Sequence, residues 1–176
     1  GPGHGHGAGV GRRQRVLLRL DGAADARTPS PALRATARRL GRQLLRAARA
    51  AWPAAELDAL AESRPRGVHQ PVVLGVAARA AGLGPADASY AAVYEAVSGP
   101  ATATVRLLGL DPFEATAVLA RLAPELDDVA ARATTAGVRA AAGGRTDVDV
   151  LPAAGAPLLD IAAEEHAVRT ARLFAS

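Results

Sequence analysis

The fold is decided by residues 28–53, which read TPSPALRATARRLGRQLLRAARAAWP. Ser30 before Pro31 is a strong helix start, since Ser caps the first turn and Pro suits the first helical position. Trp52 before Pro53 is expected to end the segment, because the residue preceding a proline avoids helical geometry. The stretch therefore predicts a long amphipathic helix. Its apolar side recurs at helical spacing, at Leu33, Ala37, Leu40, Leu44 and Ala48.

Helical patterns also follow this stretch, and no alternation is long enough to demand a sheet. The sequence predicts an all-α, single-domain helical bundle of about seven to nine helices. Ser98-Gly99-Pro100 is expected to break or kink one of them, since proline removes a hydrogen bond. The further helices are predicted at residues 54–62, 70–81, 85–97, 101–108, 112–122, 124–137 and 160–169.

The organisation along the chain has three predicted parts. Residues 1–27 are expected to be a flexible or divergent leader, in which residues 16–20 form one or two helical turns. Residues 28–156 form the helical domain, with a loop over residues 143–156. Residues 157–176 form a C-terminal tail that is expected to bind a partner.

The composition excludes several classes of protein. The 176 residues suffice for one domain with a core, and the absence of Cys excludes disulfides and thiolate metal sites. All 21 basic side chains are Arg, against 17 acids. Residues 1–50 hold eleven Arg and only two Asp, so the basic charge is concentrated there. No apolar run approaches the roughly 20 residues that span a bilayer, and no signal peptide is visible. A cytoplasmic protein is predicted.

Catalytic motifs are missing from the sequence. It has no Lys and therefore no phosphate-binding G-x-x-x-x-G-K-[ST] loop, and it has neither G-x-S-x-G nor H-E-x-x-H. We predict that the chain is not an enzyme and has no cofactor. His4 and His6 are weak candidates for a metal site, with an incidental position in a glycine-rich leader as the alternative. His69, before Gln70-Pro71, suggests helix capping or packing.

The last twenty residues, PLLDIAAEEHAVRTARLFAS, resemble the C-terminal signature of the UreF family of urease accessory proteins, roughly P-x-L-D-I-x-S-x-x-H-E-x-Q-x-S-R-L-F-R-S. Ala167 and Ala175 depart from it, where the family usually has Glu and Arg. The matching positions are Pro157, Leu159, Asp160, Ile161, His166, Arg172, Leu173, Phe174 and Ser176.

Three more segments resemble the family in the same order, so the resemblance covers residues 25–176. Residues 25–45 are similar to a segment with an Asp before a helix containing E-L-R-x-x-S-x-x-x-G. Residues 68–83 are similar to H-x-P-V-x-x-G-x-x-A-x-x-x-G-I, and residues 90–110 to a helix ending in V-R-L-x-x-L. Residues 3–11, GHGHGAGVG, resemble a degraded copy of the family's opening G-H-x-H-S-G-G-x-E motif, and a stretch that the family has after this motif is missing. Either the family's first helices are deleted or the leader is a cloning remnant.

The resemblance implies an all-α, non-enzymatic scaffold or chaperone, usually a homodimer. Its partners would be UreD (also called UreH), the GTPase UreG and apo-urease, and its role GTP-dependent nickel insertion. The tail is implied to dock on UreD/UreH. The residues predicted to contact that partner are His166, Arg169, Arg172, Leu173, Phe174 and Ser176.

Two further surfaces have open interpretations. A stripe of arginines at four-residue spacing is either a partner surface or a solvated helix face. Its members are Arg34, Arg38, Arg42 and Arg46. Tyr90 and Tyr94, one turn apart, belong either to a dimer interface or to the core, and Arg106 is a further candidate. A basic helical nucleic-acid-binding protein is the alternative function, which the lack of Lys weakens. A degenerate, inactive paralogue is a third possibility.

Overall fold

The computed structural model describes the backbone of residues 5–142 and 146–174, and the side chains of residues 11–142 and 146–169. Within these residues it is all-α and has no strand, which confirms the predicted fold class and number of helices. The helices of the described chain are α1 (Gly5–Ala26), α2 (Pro31–Ala51), α3 (Ala55–Ser63), α4 (Gln70–Ala80), α5 (Pro85–Leu108), α6 (Pro112–Arg121), α7 (Ala123–Ala141) and α8 (Pro157–Phe174).

Helix α2 begins and ends where the sequence predicts. The Ser30 side chain accepts a hydrogen bond from the Leu33 amide at 3.1 Å, and Pro31 is the first helical residue. The Trp52 amide donates to the Ala48 carbonyl at 2.8 Å and closes the last turn. Leu45 and Ala48 on its apolar side are buried. Local capping chemistry therefore fixes this element from its own residues.

The chain divides into two compact units, residues 1–81 with 151–176 and residues 82–150. The first contains α1 to α4 and α8. Its core is formed by α2, α3, α4 and the segment before α4, and Leu17 of α1 and Leu44 of α2 pack against it. The fully or nearly fully buried apolar side chains of this core include Leu57, Leu60, Val68 and Val73.

Helix α1 is longer than the one or two turns predicted around residues 16–20. It spans Gly5–Ala26, although several of its residues are glycines that each cost about 1 kcal/mol against Ala in a helix. Tertiary contacts explain the difference: Leu17 packs on the core, and Asp21 and Asp25 pair with side chains outside α1. Propensity alone does not reveal such contacts.

The second unit contains α5, α6 and α7, with α5 and α7 packed together. Its described residues bury only Leu126, Ala130 and Ala140. Of the break or kink predicted at Ser98-Gly99-Pro100, the break is absent, because α5 runs on through Pro100. Thr102 and Thr104 donate their hydroxyl protons to the carbonyls of Ser98 and Pro100, at 2.8 and 2.9 Å. The continuity of α5 shows that this helix tolerates the missing amide donor of Pro100.

Candidate partner-binding surfaces

The predicted C-terminal tail is a helix, α8, which packs against α2 within the first unit. Its contacts are polar and lie at the N-terminus of α2. The Ser30 amide donates to Asp160 Oδ1 at 3.2 Å, and the Ala32 amide donates to Glu164 Oε1 at 2.8 Å. The Ser30 hydroxyl also donates to Glu164 Oε1. Asp160 and Glu164 are four residues apart, so both carboxylates project from one side of α8.

Glu164 is held as a carboxylate by these contacts. The hydrogen bonds from the Ser30 hydroxyl and the Ala32 amide, with the nearby charge of Arg34, lower the pKa of Glu164 below its ordinary value. A negative charge is also favoured at a helix N-terminus by the aligned backbone dipoles. The α8 carboxylates therefore complement an N-terminus that has no acidic residue in its own first turn.

Helix α8 also exposes apolar side chains, and one of them, Val168, follows Glu164 by four residues in the same row. Leu158 is 81% exposed, Ile161 56% and Val168 51%. Their spacing of three and seven residues puts them on one side of the helix. His166 and Arg169 are exposed as well, and Arg169 pairs with Glu165 at 3.5 Å. The side chains of Arg172, Leu173 and Phe174, and all of Ser176, lie outside the described residues.

Three members of the predicted Arg stripe contact their own chain. Arg34 donates to the carbonyls of Thr28 and Pro29 at 2.7 and 2.8 Å. Arg42 is exposed and donates to the Arg66 carbonyl at 2.5 Å. Arg38 is turned inward, and Arg46 is exposed. A partner role for the stripe stays a prediction, and contacts within the chain account for much of its geometry.

Arg38 belongs to a partly buried ionic cluster that the sequence did not predict. Its guanidinium lies 3.2 Å from Asp21 Oδ2 and 2.6 Å from Asp25 Oδ1, and it also donates to the Gly67 carbonyl at 2.8 Å. Asp21 is completely buried and also accepts the His69 amide at 2.9 Å. The only signal in the sequence was that two Asp, spaced i and i+4, stand alone among eleven Arg.

The cluster shifts the ionisation of Asp25. Hydrogen bonds from His69 and Arg38 lower the pKa of this carboxyl. His69 Nε2 lies 2.9 Å from Asp25 Oδ1, and the His69 ring is buried. Capping and packing were both predicted for His69. Its side chain makes no hydrogen bond that caps α4, so its buried position supports the packing role. The cluster joins α1, α2 and the segment before α4.

Tyr90 and Tyr94 lie on the surface of α5. Their rings stack with centroids 6.3 Å apart and an angle of 15° between planes. They are 42% and 45% exposed, so the core interpretation does not describe them. Arg106 is exposed in the last turn of the same helix. Their proposed contact with a second subunit is still a prediction.

His4 lies outside the described residues, and so does the side chain of His6. In the part of the chain that the structure does describe, no group of three or more His, Asp or Glu side chains is arranged to hold a metal ion. No helix in that part is long and apolar enough to cross a membrane.

These features define an all-α protein with exposed apolar side chains on α8 and α5. Comparison with known protein families identifies the family within this class. The chain belongs to the UreF family, whose model matches residues 4–123. This match includes all of α1, most of which lies outside residues 25–176, where the sequence resembles the family. No solved structure matches the chain.

The relatives are curated proteins named urease accessory protein UreF. The protein of Mycobacterium sp. strain JLS is 42% identical over 161 residues, which cover 92% of this chain and 68% of the relative. That of Mycolicibacterium vanbaalenii is 40% identical, covering 89% and 64%. That of Mycobacterium marinum is 43% identical, covering 93% and 70%. The chain thus spans about two thirds of the length of these relatives.

Proposed function

We propose that this chain is a urease accessory scaffold that acts in GTP-dependent nickel insertion into apo-urease by bridging UreD/UreH and the GTPase UreG. Nickel is the cargo of this process, and the chain itself contributes binding surfaces and no catalytic group. The cytoplasm is the proposed location. The observation that carries the proposal is the exposed apolar side of α8 in a chain of the UreF family.

Helix α8 is the proposed contact with UreD/UreH. Leu158, Ile161 and Val168 offer an apolar stripe, and each large side chain buried on binding contributes about 1.5–3 kcal/mol. Within this contact His166 and Arg169 are the proposed polar neighbours. Arg172, Leu173, Phe174 and Ser176 extend the proposed contact toward the chain end.

A homodimer is the second part of the proposal. Tyr90 and Tyr94 present two stacked rings to solvent, and tyrosine is enriched at interfaces because it combines a large apolar face with a hydroxyl. Arg106 is the proposed polar contact of the same helix with the second subunit.

Nucleic-acid binding is less well supported. Affinity for nucleic acid depends on Arg or Lys side chains that neutralise phosphates. Arg34, Arg38 and Arg42 are held by carbonyl or carboxylate groups of their own chain. The helix with the highest basic charge is therefore largely engaged in folding contacts.

The test is co-purification of the tagged chain with UreD/UreH. The full chain should retain UreD/UreH, and a variant lacking residues 167–176 should lose most of it. A Leu158→Ser/Val168→Ser variant should also bind more weakly, since it removes two of the three side chains of the apolar stripe without shortening the chain. Circular dichroism would check that both variants remain helical.

Two results would contradict the proposal. Retention of UreD/UreH at full strength by both variants would exclude α8 as the contact. Salt-sensitive capture of DNA or RNA by the full chain, without UreD/UreH binding, would favour the nucleic-acid alternative. Complementation of a urease-deficient strain that lacks its own UreF would separate an active protein from an inactive paralogue.

A further inference from the structure

The N-terminus of α2 is completed by residues that lie about 130 positions away in the sequence. The first amides of a helix have no partner within it. In α2 Pro31 has no amide proton, and the Leu33 amide is satisfied by the Ser30 hydroxyl. The Ala32 amide has Glu164 as its acceptor, and the Ser30 amide has Asp160. Helix α8 therefore supplies two of the acceptors that α2 needs.

We propose that Asp160 and Glu164 are positioning residues for partner capture: by capping α2 from a distance they hold α8 on the first unit with its apolar stripe toward solvent. This inference rests on the proposed function of α8 as the UreD/UreH contact, and it adds the means by which that contact is oriented.

The geometry favours a fixed orientation of α8 over a loosely tethered tail. Most of the stability of a helix within a protein comes from tertiary packing, so the order of α8 depends on its contacts with the first unit. The carboxylates on one side of α8 bind two amides and a hydroxyl, and Ser30 at their centre is buried. Helix rotation would break these bonds and would turn Leu158, Ile161 and Val168 away from their present direction.

The entry to α8 is fixed by a separate contact. Arg27 donates to the carbonyls of Leu151 and Pro152 at 3.1 and 3.2 Å. Arg27 follows the end of α1 and precedes Ser30 by three residues, so these bonds hold the segment before α8 close to the start of α2. The start of α8 and its polar side are therefore both tied to the same region. A helix ordered before binding loses less conformational entropy when a partner captures it.

The experiment compares Glu164→Ala with Glu165→Ala and Glu164→Gln in the full chain. Glu165 is the matched control, because it is the adjacent acid, is exposed, and makes only the 3.5 Å pair with Arg169. Amide hydrogen exchange reports the docking of α8 without a partner. Affinity for UreD/UreH reports the positioning role.

Glu164→Ala should speed exchange of the Ala32 amide and of α8 by about fivefold, the size expected for removing an N-cap acceptor. Glu164→Ala should also weaken binding to UreD/UreH. Glu164→Gln retains an oxygen acceptor for the Ala32 amide, so it should recover part of both losses. Leu57→Ala, a core substitution distant from the α2 N-terminus in sequence, should lower stability without this selective effect on α8.

Three results would overturn the inference. One is equal exchange of α8 in Glu164→Ala and Glu165→Ala. Another is faster exchange with unchanged affinity for UreD/UreH, which would leave Glu164 with a folding role only. Tighter binding by Glu164→Ala would show that docking competes with capture. If the unchanged chain does not bind UreD/UreH, the proposed function fails, and exchange still decides whether Glu164 holds α8.

Discussion

The carboxylate of Asp21 is buried completely, and an isolated charge in that position would destabilise the fold by several kcal/mol. Its donors offset this cost: the His69 amide at 2.9 Å, Arg38 at 3.2 Å and Arg64 at 3.4 Å. Burial by itself would lower the pKa of Arg38, but hydrogen bonds to Asp25 and Asp21 outweigh it and raise the pKa. The raised pKa keeps Arg38 positively charged beside the two Asp side chains.

The acid stability of the first unit should depend on Asp25. Because hydrogen bonds from His69 and Arg38 lower its pKa in the folded state, the unfolded chain binds this proton more tightly. The stability that Asp25 contributes is therefore present above its unfolded pKa and is lost as pH falls through its folded pKa. Asp25→Asn should be less stable than the parent at neutral pH and should lose less stability on acidification.

Urea unfolding followed at several pH values between neutral and acid would measure this dependence. Leu57→Ala is the control, since it should lower stability through the core and keep the acid dependence of the parent. If Asp25→Asn lost as much stability on acidification as the parent, other carboxylates would be the cause of the acid dependence.

Gly41 permits the closest approach between α2 and the segment before α4. A Cβ at this position would lie 1.9 Å from the Val68 carbonyl oxygen, which is backbone and cannot move aside easily. Gly41→Ala should therefore destabilise the protein by about 1–3 kcal/mol, the range for overpacking. Gly75→Ala is the matched control in α4, because nothing lies within 4 Å of its added Cβ. The control should stabilise by about 0.5–1 kcal/mol, and equal urea midpoints for the two variants would contradict the steric argument.

At the scale of the element, helix starts were predicted more accurately than helix ends. Ser30 and Asp111 each accept a hydrogen bond from their own first turn, and each is followed by proline, so the signal is local. Helices α7 and α8 extend beyond the predicted residues 124–137 and 160–169. The docking of α8 on α2 depends on groups 130 or more residues apart, which no local pattern reveals.

Pro100 is the one residue of α5 that opposes its continuity. Proline lacks the amide proton that would bind the carbonyl four residues earlier and crowds that turn. Pro100→Ala should restore the hydrogen bond and raise the stability of the second unit by about 1 kcal/mol or more. Gly99→Ala provides a comparison on the neighbouring residue, where the added Cβ meets nothing within 4 Å. Slower amide exchange around residue 100 is the expected readout, and faster exchange in Pro100→Ala would mean that α5 requires the proline geometry.

At the scale of the whole molecule, the two units differ in how much they bury. The first buries Leu57, Leu60, Val68 and Val73 almost completely. The described residues of the second bury only one Leu and two Ala, while Tyr90, Tyr94 and Leu107 on α5 are exposed. Local stability follows the amount of buried apolar surface. The second unit should therefore open more readily, unless another subunit covers its exposed side chains.

Hydrogen exchange at different protein concentrations would decide whether a second copy of the chain covers the exposed side chains of the second unit. In dilute solution the amides of α5 and α7 should exchange faster than those of α2 and α4. If Tyr90 and Tyr94 form the homodimer contact, exchange in α5 should slow as concentration rises, because the bound state stabilises the fold by mass action. Tyr90→Ser/Tyr94→Ser should abolish this dependence. Leu107→Ser, which removes a more exposed apolar side chain from the same helix, should retain it. Concentration-independent exchange in the parent, together with a monomeric mass by light scattering, would assign these tyrosines to a different partner.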